Sequence, residues 1–338
     1  MEEKVKEFLE SINKKDKIAL IFHNDCDGFV SGRMFYDSLK DRCEIKIFPR
    51  AIEKDLLKKL DLKDFNKLIV LDLAGTLIGD DLNKLVQKKE ILYVDHHPSE
   101  IKLSEKIISV IGKSSESAAR LSYDMMEDLI SVPDWLVLVG MISDAGDKHK
   151  ENMDFIEKKL NDVGMNLKEF KEKIVFELNY FLAYFEKDLE KAFEIFSELN
   201  DLKDIGKIRK YTDEVKKDFE FYKKDFEKNK EDINGIIFYY FEPKFSIKDA
   251  LINEASYANP DGVYVLVSPR DNYLRISARC QTLKVNVREM LIECCKDLKN
   301  SNAGGHTKAS GAMIEKNDLG IFKENLKSYM KRISEGNI

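Results

Sequence analysis

The sequence has no run of apolar residues close to the roughly 18 that a membrane-spanning helix requires. Its five cysteines include no CxxC pair and are odd in number, which disfavours a disulfide framework or a zinc knuckle. Only six prolines in 338 residues, with 43% hydrophobic residues, exclude a disordered or fibrous chain. The start, MEEKVKEFLESINKKDK, predicts a charged amphipathic helix rather than a signal peptide. We therefore expect a globular cytoplasmic protein with reduced thiols and no membrane association.

The chain length suits two domains of roughly 100 to 200 residues each. The net charge of −6 at first disfavours nucleic acid as a ligand. From Ile236 to Ile338, however, there are 15 Lys and Arg and 12 Asp and Glu, a net charge of +3. The residues before Ile236 include 41 Lys and Arg and 50 Asp and Glu, a net charge of −9. The basic excess lies in the C-terminal part.

Five short apolar runs alternate with helical stretches in the first 150 residues, at 17–23, 43–48, 67–72, 90–95 and 106–111. This alternation predicts a doubly wound, mainly parallel sheet. In such a sheet, ligands bind beyond the carboxyl ends of the strands. His23, Asp72 and Asp95 each stand at the end of an apolar run, so we expect a site at this edge.

The remaining sequence predicts a helical connector and a second domain. Residues 151–232 lack strand-like runs and interleave charges with Phe, Leu and Tyr. Strand signals return at 235–241, 262–269 and 273–280, before a helix and the loop SNAGGHTKASGA. We therefore predict an α/β fold with a catalytic domain at 1–150, the connector, a smaller α/β domain at 233–338, and an active-site cleft between the two domains.

The first polar cluster is HNDCDG, residues 23 to 28. In an extended chain His23, Asp25 and Asp27 project to the same side, because side chains alternate with period two. That patch would suit a metal ion. The equally weighted alternative is an Asp turn closed by Gly28, or an N-cap for the next helix.

Further carboxylates and imidazoles follow the other predicted strands and an apolar helix: Asp72, Asp95, His96, His97, Asp144 and Asp147. So many carboxylates at one sheet edge would repel one another unless a cation neutralised them. Asp and His ligands without cysteine suit a divalent ion, Mn²⁺ first, with Mg²⁺, Co²⁺ or Zn²⁺ as alternatives. There are enough ligands for two ions bridged by one carboxylate, an arrangement typical of phosphoester hydrolysis.

Five motifs in order, HNDCDG, VLD, DHH, GMISDAGD and GGHTKASG, resemble the DHH phosphoesterase superfamily with its C-terminal DHHA1 domain. The resemblance implies two divalent ions and a role for each matching residue. The implied metal ligands are His23 and Asp25 for one ion, Asp27, His96 and Asp144 for the other, and Asp72 as the bridge.

The same resemblance implies that His97 contacts the scissile phosphate and that Asp95 orients its neighbours. In the second domain, the substrate residues would be Gly304, Gly305, His306 and Lys308 of GGHTKASGA, together with Arg279 in RISARC. The alternatives are a plain glycine-rich loop and a surface arginine. Arg275, on the same predicted strand, is a further candidate, and His149 matches no motif.

Three functions compete. The first is an exonuclease that releases 5′-mononucleotides from single-stranded DNA or RNA, as the likeness to compact archaeal RecJ-type exonucleases implies. The second, closer to nanoRNases, is hydrolysis of short oligonucleotides or of 3′-phosphoadenosine 5′-phosphate. The third is a replication or repair scaffold without activity. The presence of every expected ligand residue disfavours it, because a scaffold would be expected to lose some of them. A catalytic subunit bound to a replication or repair partner also fits the sequence.

Overall fold

A computed structural model describes residues 2–53, 55–127 and 129–335. The chain divides into two compact units, residues 1–212 and 213–338. Residues of the predicted connector, 151–232, contribute to both units. The outer ends of the predicted domains, residue 1 and residues 336–338, lie outside the described ranges. Within those ranges, no helix is both long and apolar enough to cross a lipid bilayer.

The first unit is built on a five-stranded parallel sheet. Its strands are β1 (Lys17–His23), β2 (Glu44–Arg50), β3 (Lys67–Leu71), β4 (Glu90–Asp95) and β5 (Ile108–Ile111). They are arranged in the order β2-β1-β3-β4-β5. The strand order reverses between β1 and β3, which is the position where open α/β sheets bind ligands. The predicted doubly wound sheet is therefore confirmed.

The central strands β1, β3 and β4 are apolar along most of their length because both faces of the sheet are covered there, whereas the edge strand β2 carries Glu44, Lys46 and Arg50. In β1, Ile18, Leu20 and Phe22 belong to one hydrophobic core, whereas Ala19 and Ile21 belong to the core on the opposite face. This alternation fixes the strand register, because a shift by one residue would exchange the two faces.

Helices cover both faces of the sheet in the first unit. They are α1 (Glu2–Ser11), α2 (Cys26–Leu39), α3 (Leu56–Lys59), α4 (Gly75–Leu85), α5 (Ala118–Met126), α6 (Asp134–Ser143), α7 (Lys150–Val163), α8 (Leu167–Phe170), α9 (Phe176–Tyr184) and α10 (Leu189–Ser197). A 3₁₀ turn (Gly146–Lys148), a π turn (Lys171–Val175) and a second 3₁₀ segment (Leu202–Ile208) connect some of them. The stretch after α6 is helical, as its composition predicts.

The second unit contains most of α11 (Arg209–Asn229) and a six-stranded sheet. The strands are β6 (Glu231–Ile233), β7 (Ile236–Tyr240), β8 (Val263–Arg270), β9 (Tyr273–Arg279), β10 (Asn302–Gly305) and β11 (Ala309–Glu315), in the order β10-β11-β9-β8-β7-β6. Only β7 and β8 pair in parallel among these described strands. The helices are α12 (Lys248–Ala258), α13 (Val287–Cys295) and α14 (Leu319–Ser334).

The segment predicted as the loop SNAGGHTKASGA is instead a β-hairpin, which corrects the sequence interpretation. Gly304 and Gly305 belong to β10, and the chain returns into β11 at Ala309. Gly305 has a φ of +131°, a backbone conformation that side chains with a Cβ rarely adopt. Gly305, one of the glycines that suggested a loop, therefore permits a tight hairpin.

Candidate metal centre

The predicted ligands of the first unit lie at the carboxyl ends of β1, β3 and β4. His23 is the last residue of β1, and Asp72 and His96 directly follow β3 and β4. Because these three strands are neighbours, their ends meet at the position where the strand order reverses.

The turn from β1 into α2 separates the aspartates of HNDCDG. Asp25 is the N-cap of α2, and its Oδ1 accepts a hydrogen bond of 3.0 Å from the Gly28 backbone N–H. A Cβ at Gly28 would lie 2.2 Å from the His23 carbonyl oxygen, so only glycine fits here. The expectation of a common extended segment is wrong, because Asp27 lies in the first turn of α2. The N-cap alternative is correct for Asp25, whose Oδ2 also lies 2.8 Å from His23 Nδ1.

Asp27 connects the site to a second helix. Its carboxylate is buried and accepts hydrogen bonds from the backbone N–H groups of Ala118 (2.7 Å) and Ala119 (2.8 Å), at the N-terminus of α5. Its Oδ2 also lies 3.9 Å from His96 Nε2. Asp27 therefore both anchors α5 and contributes to the polar cluster.

Asp72 occupies the centre of the cluster. Its Oδ1 lies 3.3 Å from His96 Nε2, and its Oδ2 lies 3.7 Å from His23 Nδ1. The residue has a φ of +58°, the left-handed region that Asp tolerates better than most residues. The side chain is 2% exposed, and neither oxygen has a hydrogen-bond partner within the described chain.

Asp144 ends α6, and its Oδ2 lies 3.5 Å from His96 Nε2. Asp147, three residues further along, does not join this cluster. Its Oδ2 instead lies 2.6 Å from Lys171 Nζ.

Three groups of side chains within the described residues have ligand atoms close enough to share a metal ion: His23, Asp25 and Asp72; Asp27, His96 and Asp144; and Asp72, His96 and His97. Nitrogen and carboxylate donors without sulfur suit a divalent cation of intermediate hardness. The unpaired buried atoms of Asp72 and His96 fit such a cation as well, because buried polar groups ordinarily have partners.

The pKa values of the clustered side chains also indicate a site for a cation. Burial and the charges of Asp72 and Asp144 raise the pKa of Asp27 well above its ordinary value. Burial and the charges of Asp72 and Asp25, partly offset by His96, raise the pKa of Asp144 to about 7. Burial opposes protonation of His96, but Asp72, Asp144 and Asp27 outweigh it and raise its pKa to about 10. The carboxylates thus need positive charge, which protons provide when no cation is bound.

His97 and Asp95 form a separate contact beside these groups. Asp95 Oδ1 lies 2.7 Å from His97 Nδ1, and Asp95 Oδ2 accepts a 2.6 Å hydrogen bond from the Tyr93 hydroxyl. Sequence reasoning missed Tyr93, although the residues Tyr93, Asp95 and His97 alternate along the end of β4 with the period of a strand. That spacing was the available signal.

In the second unit, Arg279 lies within a polar cluster that the sequence did not predict. Its Nε donates a 2.9 Å hydrogen bond to Asn253 Oδ1 of α12. Nearby, Lys248 Nζ contacts Ser277 Oγ, and Ser277 Oγ donates to Asp249 Oδ1 at 2.6 Å. Ser277 stands two residues before Arg279 on β9, a spacing that places both on one face.

This second cluster is electropositive. Burial, together with the charges of Arg279, Arg275 and Arg270, lowers the pKa of Lys248. Several cations that crowd together with one neighbouring carboxylate suit an anionic ligand.

The hairpin of the GGH motif lies at the same end of β9. Ala309 pairs with Arg279, and the Cys280 N–H donates a 3.0 Å hydrogen bond to the Lys308 carbonyl oxygen. His306 and Lys308 are exposed on the hairpin turn. The second unit therefore brings the predicted substrate residues of both motifs together.

Comparison with known proteins gives two family matches. Residues 17–162 match the DHH family, N-terminal domain, and residues 236–332 match the DHHA1 domain. No curated protein matches the chain.

Several solved structures share the fold. Exonuclease RecJ bound to manganese is 16% identical with a TM-score of 0.74, covering 98% of this chain and 94% of that one. RecJ of Thermus thermophilus in complex with Mn²⁺ is 17% identical with a TM-score of 0.72, and the match covers 98% of this chain and 55% of that one. A pGpG-specific phosphodiesterase of Vibrio cholerae is 12% identical with a TM-score of 0.52, over 93% and 99%.

The two family matches together span most of the chain, in the order that its motifs predict, and the first contains every residue of the three ligand groups. The chain belongs to the DHH/DHHA1 superfamily and is a metal-dependent phosphoesterase.

Proposed function

We propose that the protein is a single-strand-specific exonuclease that hydrolyses terminal phosphodiesters of DNA or RNA and releases 5′-mononucleotides. The proposal is carried by Asp72, whose two unpaired buried oxygens face ligand groups on either side. In this proposal residues 1–150 are the catalytic domain, 151–232 the helical connector and 233–338 the substrate-binding domain.

The proposed cofactor is a pair of divalent ions, Mn²⁺ first, with Mg²⁺ or Co²⁺ as alternatives. When bound, such a pair supplies the positive charge that stabilises the attacking and leaving oxygens of a phosphoryl displacement. The residues proposed to hold it are His23 and Asp25 for one ion, Asp27, His96 and Asp144 for the other, and Asp72 for both. Two of the three groups of ligand atoms support this division: His23, Asp25 and Asp72 for one ion, and Asp27, His96 and Asp144 for the other.

His97 is proposed to act on the substrate. Asp95 engages its Nδ1, which leaves Nε2 as the ring nitrogen available to donate to a phosphate oxygen or to the leaving group. Tyr93 holds the other oxygen of Asp95 and so limits the rotation of this carboxylate. A fixed donor is effective because its orientation is established before the reaction begins.

The second unit is proposed to bind the strand end. Arg279 presents a planar set of donors suited to phosphate, and Lys248 and Ser277 add a cation and a hydroxyl beside it. The exposed hairpin with Gly304, Gly305, His306 and Lys308 supplies backbone N–H groups and further positive charge. This cluster supports a nucleic acid end as the substrate.

A second candidate is hydrolysis of very short oligonucleotides or of 3′-phosphoadenosine 5′-phosphate. It is favoured by the shared fold with a phosphodiesterase that is described as specific for the dinucleotide pGpG. Either activity is compatible with an additional replication or repair protein as partner, whereas the retained ligand groups disfavour a scaffold without catalysis.

The test uses purified protein with Mn²⁺ and single strands of DNA and RNA, labelled at the 5′ or the 3′ end. Lengths run from dinucleotides to about thirty nucleotides, which exceeds the site size of single-strand binding modules. A stepwise ladder on long strands supports the exonuclease, and the end that loses its label first gives the direction. Cleavage confined to the shortest strands would favour the second candidate.

The matched control is Asp72→Asn, purified in parallel. It retains the size and backbone preference of Asp72, so cleavage that persists in this variant at the wild-type rate would come from a contaminating nuclease or from another site. Absence of cleavage of every strand by the wild-type protein would contradict both candidates that act on oligonucleotides.

A further inference from the structure

A surface pocket of about 410 Å³ lies in the first unit, apart from the three ligand groups. Its lining includes Asp147, Leu167, Lys168, Lys171 and Phe176. Asp147 stands three residues after Asp144, so the pocket begins on the segment that leaves the candidate metal centre. Its volume is within the range of small-ligand sites.

A π turn builds one wall of this pocket. In the segment Lys171–Val175 the backbone hydrogen bonds span five residues, and the Phe176 N–H donates to the Lys171 carbonyl oxygen. The wider turn brings Lys171 and Phe176 into the lining of the same pocket. Such turns occur mostly as single insertions and often at functional positions, because they are less favourable than α-helix.

Asp147 supplies an unused acceptor. Its side chain is only 3% exposed, and its Oδ2 lies 2.6 Å from Lys171 Nζ. Its Oδ1 has no hydrogen-bond partner among the residues that the structure describes. A buried carboxylate oxygen without a partner is costly, so it favours a ligand that presents an N–H donor.

Phe176 and the lysines give the pocket two further properties. Phe176 is 48% exposed, so its ring offers an apolar face at the surface of the pocket. The lining has three lysines against two acidic residues, a net charge of +1: Lys148 and Lys171 both lie near Asp147, and the exposed Lys168 lies 3.9 Å from Glu172. An aromatic face, an N–H acceptor and an excess of positive charge together match a nucleobase with its attached phosphate.

We propose that this pocket binds one base of the single-stranded substrate, with the base stacked on Phe176, a base N–H donated to Asp147 Oδ1, and the adjoining phosphate near Lys168. Every nucleobase carries a stacking face and at least one N–H donor, so the pocket tolerates any sequence. The inference rests on the proposed action on nucleic acid strands and adds a position at which the strand is held.

The experiment compares wild type, Phe176→Ala and the control Phe221→Ala, which removes another exposed phenylalanine (60% exposed) outside the pocket. Each protein is assayed with a single strand and with a small chromogenic phosphodiester. Since stacking on an aromatic side chain contributes substantially per base, we expect kcat/KM for the strand, relative to the small diester, to fall about tenfold in Phe176→Ala. The ratio should stay at the wild-type value in Phe221→Ala.

A second set of strands locates the base. One abasic site is moved along the strand, and KM is measured at each position. In the wild-type protein we expect a rise at one position, and in Phe176→Ala that position-specific rise should disappear. Two results would overturn the base-binding pocket but not the proposed exonuclease activity. The first is that the wild-type protein cleaves strands and Phe176→Ala has the same ratio of kcat/KM for the strand to that for the small diester. The second is that the rise in KM at one abasic position persists in Phe176→Ala. A wild-type protein that cleaves no strand would overturn the proposed function as well.

Discussion

Asp95 Oδ1 lies 2.7 Å from His97 Nδ1, while its Oδ2 accepts a 2.6 Å hydrogen bond from Tyr93. Both oxygens of this buried carboxylate are therefore committed, and the imidazole is held through one defined nitrogen. Of the adjacent histidines, His97 is oriented by Asp95, whereas His96 faces Asp72, Asp144 and Asp27.

Asp95→Asn should lower kcat about a hundredfold, because an amide orients the imidazole poorly and does not stabilise its protonated form. Tyr93→Phe should cause a smaller loss, because it removes one partner of Asp95 and leaves the carboxylate. Steady-state kinetics with Mn²⁺ measure the loss of kcat, and calorimetric metal titration measures any loss of metal affinity. A large loss of metal affinity in Asp95→Asn would contradict the orienting role.

Asp72→Asn should abolish detectable turnover and weaken binding of both metal ions. Asn accepts the positive φ of this position, whereas Asp72→Ala would add roughly 1–2 kcal/mol of backbone strain. In the absence of metal, Asp72→Asn should change the stability little, because it relieves the repulsion of Asp27 and Asp144 but also removes the ion pairs with His23 and His96. Thermal unfolding with EDTA and with Mn²⁺ tests this, and a Mn²⁺-induced rise in Tm equal to that of wild type would contradict the bridging role.

Metal binding should release protons near pH 7. The pKa of His96 is about 10 and that of Asp144 about 7 without metal, so His96 is protonated and Asp144 partly protonated at neutral pH. A metal ion requires the neutral imidazole and the carboxylate, and therefore displaces these protons. Affinity for Mn²⁺ should thus rise with pH between 6 and 8. Calorimetry in buffers of different ionisation enthalpy counts the protons, and no dependence on the buffer would refute the expectation.

Asp27→Ala should destabilise the protein as well as impair metal binding, because the N–H groups of Ala118 and Ala119 lose their acceptor. Loss of a helix-capping acceptor typically costs about 0.5–2 kcal/mol. The comparison variant is Asp144→Ala. Because the Asp144 side chain is 36% exposed, this substitution should impair activity with little change in stability. Both are measured by urea unfolding in EDTA, where equal destabilisation would contradict the anchoring of α5 by Asp27.

Arg279→Ala should raise KM for an oligonucleotide about tenfold, since charge-assisted hydrogen bonds to phosphate are stronger than neutral ones. The loss on a small chromogenic phosphodiester should be smaller, because that substrate has no strand end to bind. Arg288→Ala, which removes an exposed arginine on α13, is the control. Equal losses on both substrates would indicate that Arg279 acts at the metal centre instead.

Much of the fold could be predicted because the sequence patterns that indicate it lie within short segments of the chain. Apolar runs ending in His23, Asp72 and Asp95 predicted both the parallel sheet and the edge at which polar residues collect. The hairpin of the GGH motif was missed, because glycine suits a loop and a tight β-turn equally well until the partner strand is known.

The sequence by itself determined the succession of strands and helices in the first sheet and the identity of the polar residues, since periodicity and spacing are properties of the chain alone. Only the tertiary structure decided which of those residues meet. Asp27 reaches the N-terminus of α5, 91 residues further along the chain, and Asp147 turns to Lys171 rather than to His96. Such contacts depend on how helices pack on the sheet, and packing joins residues whose separation in sequence carries no periodic signal.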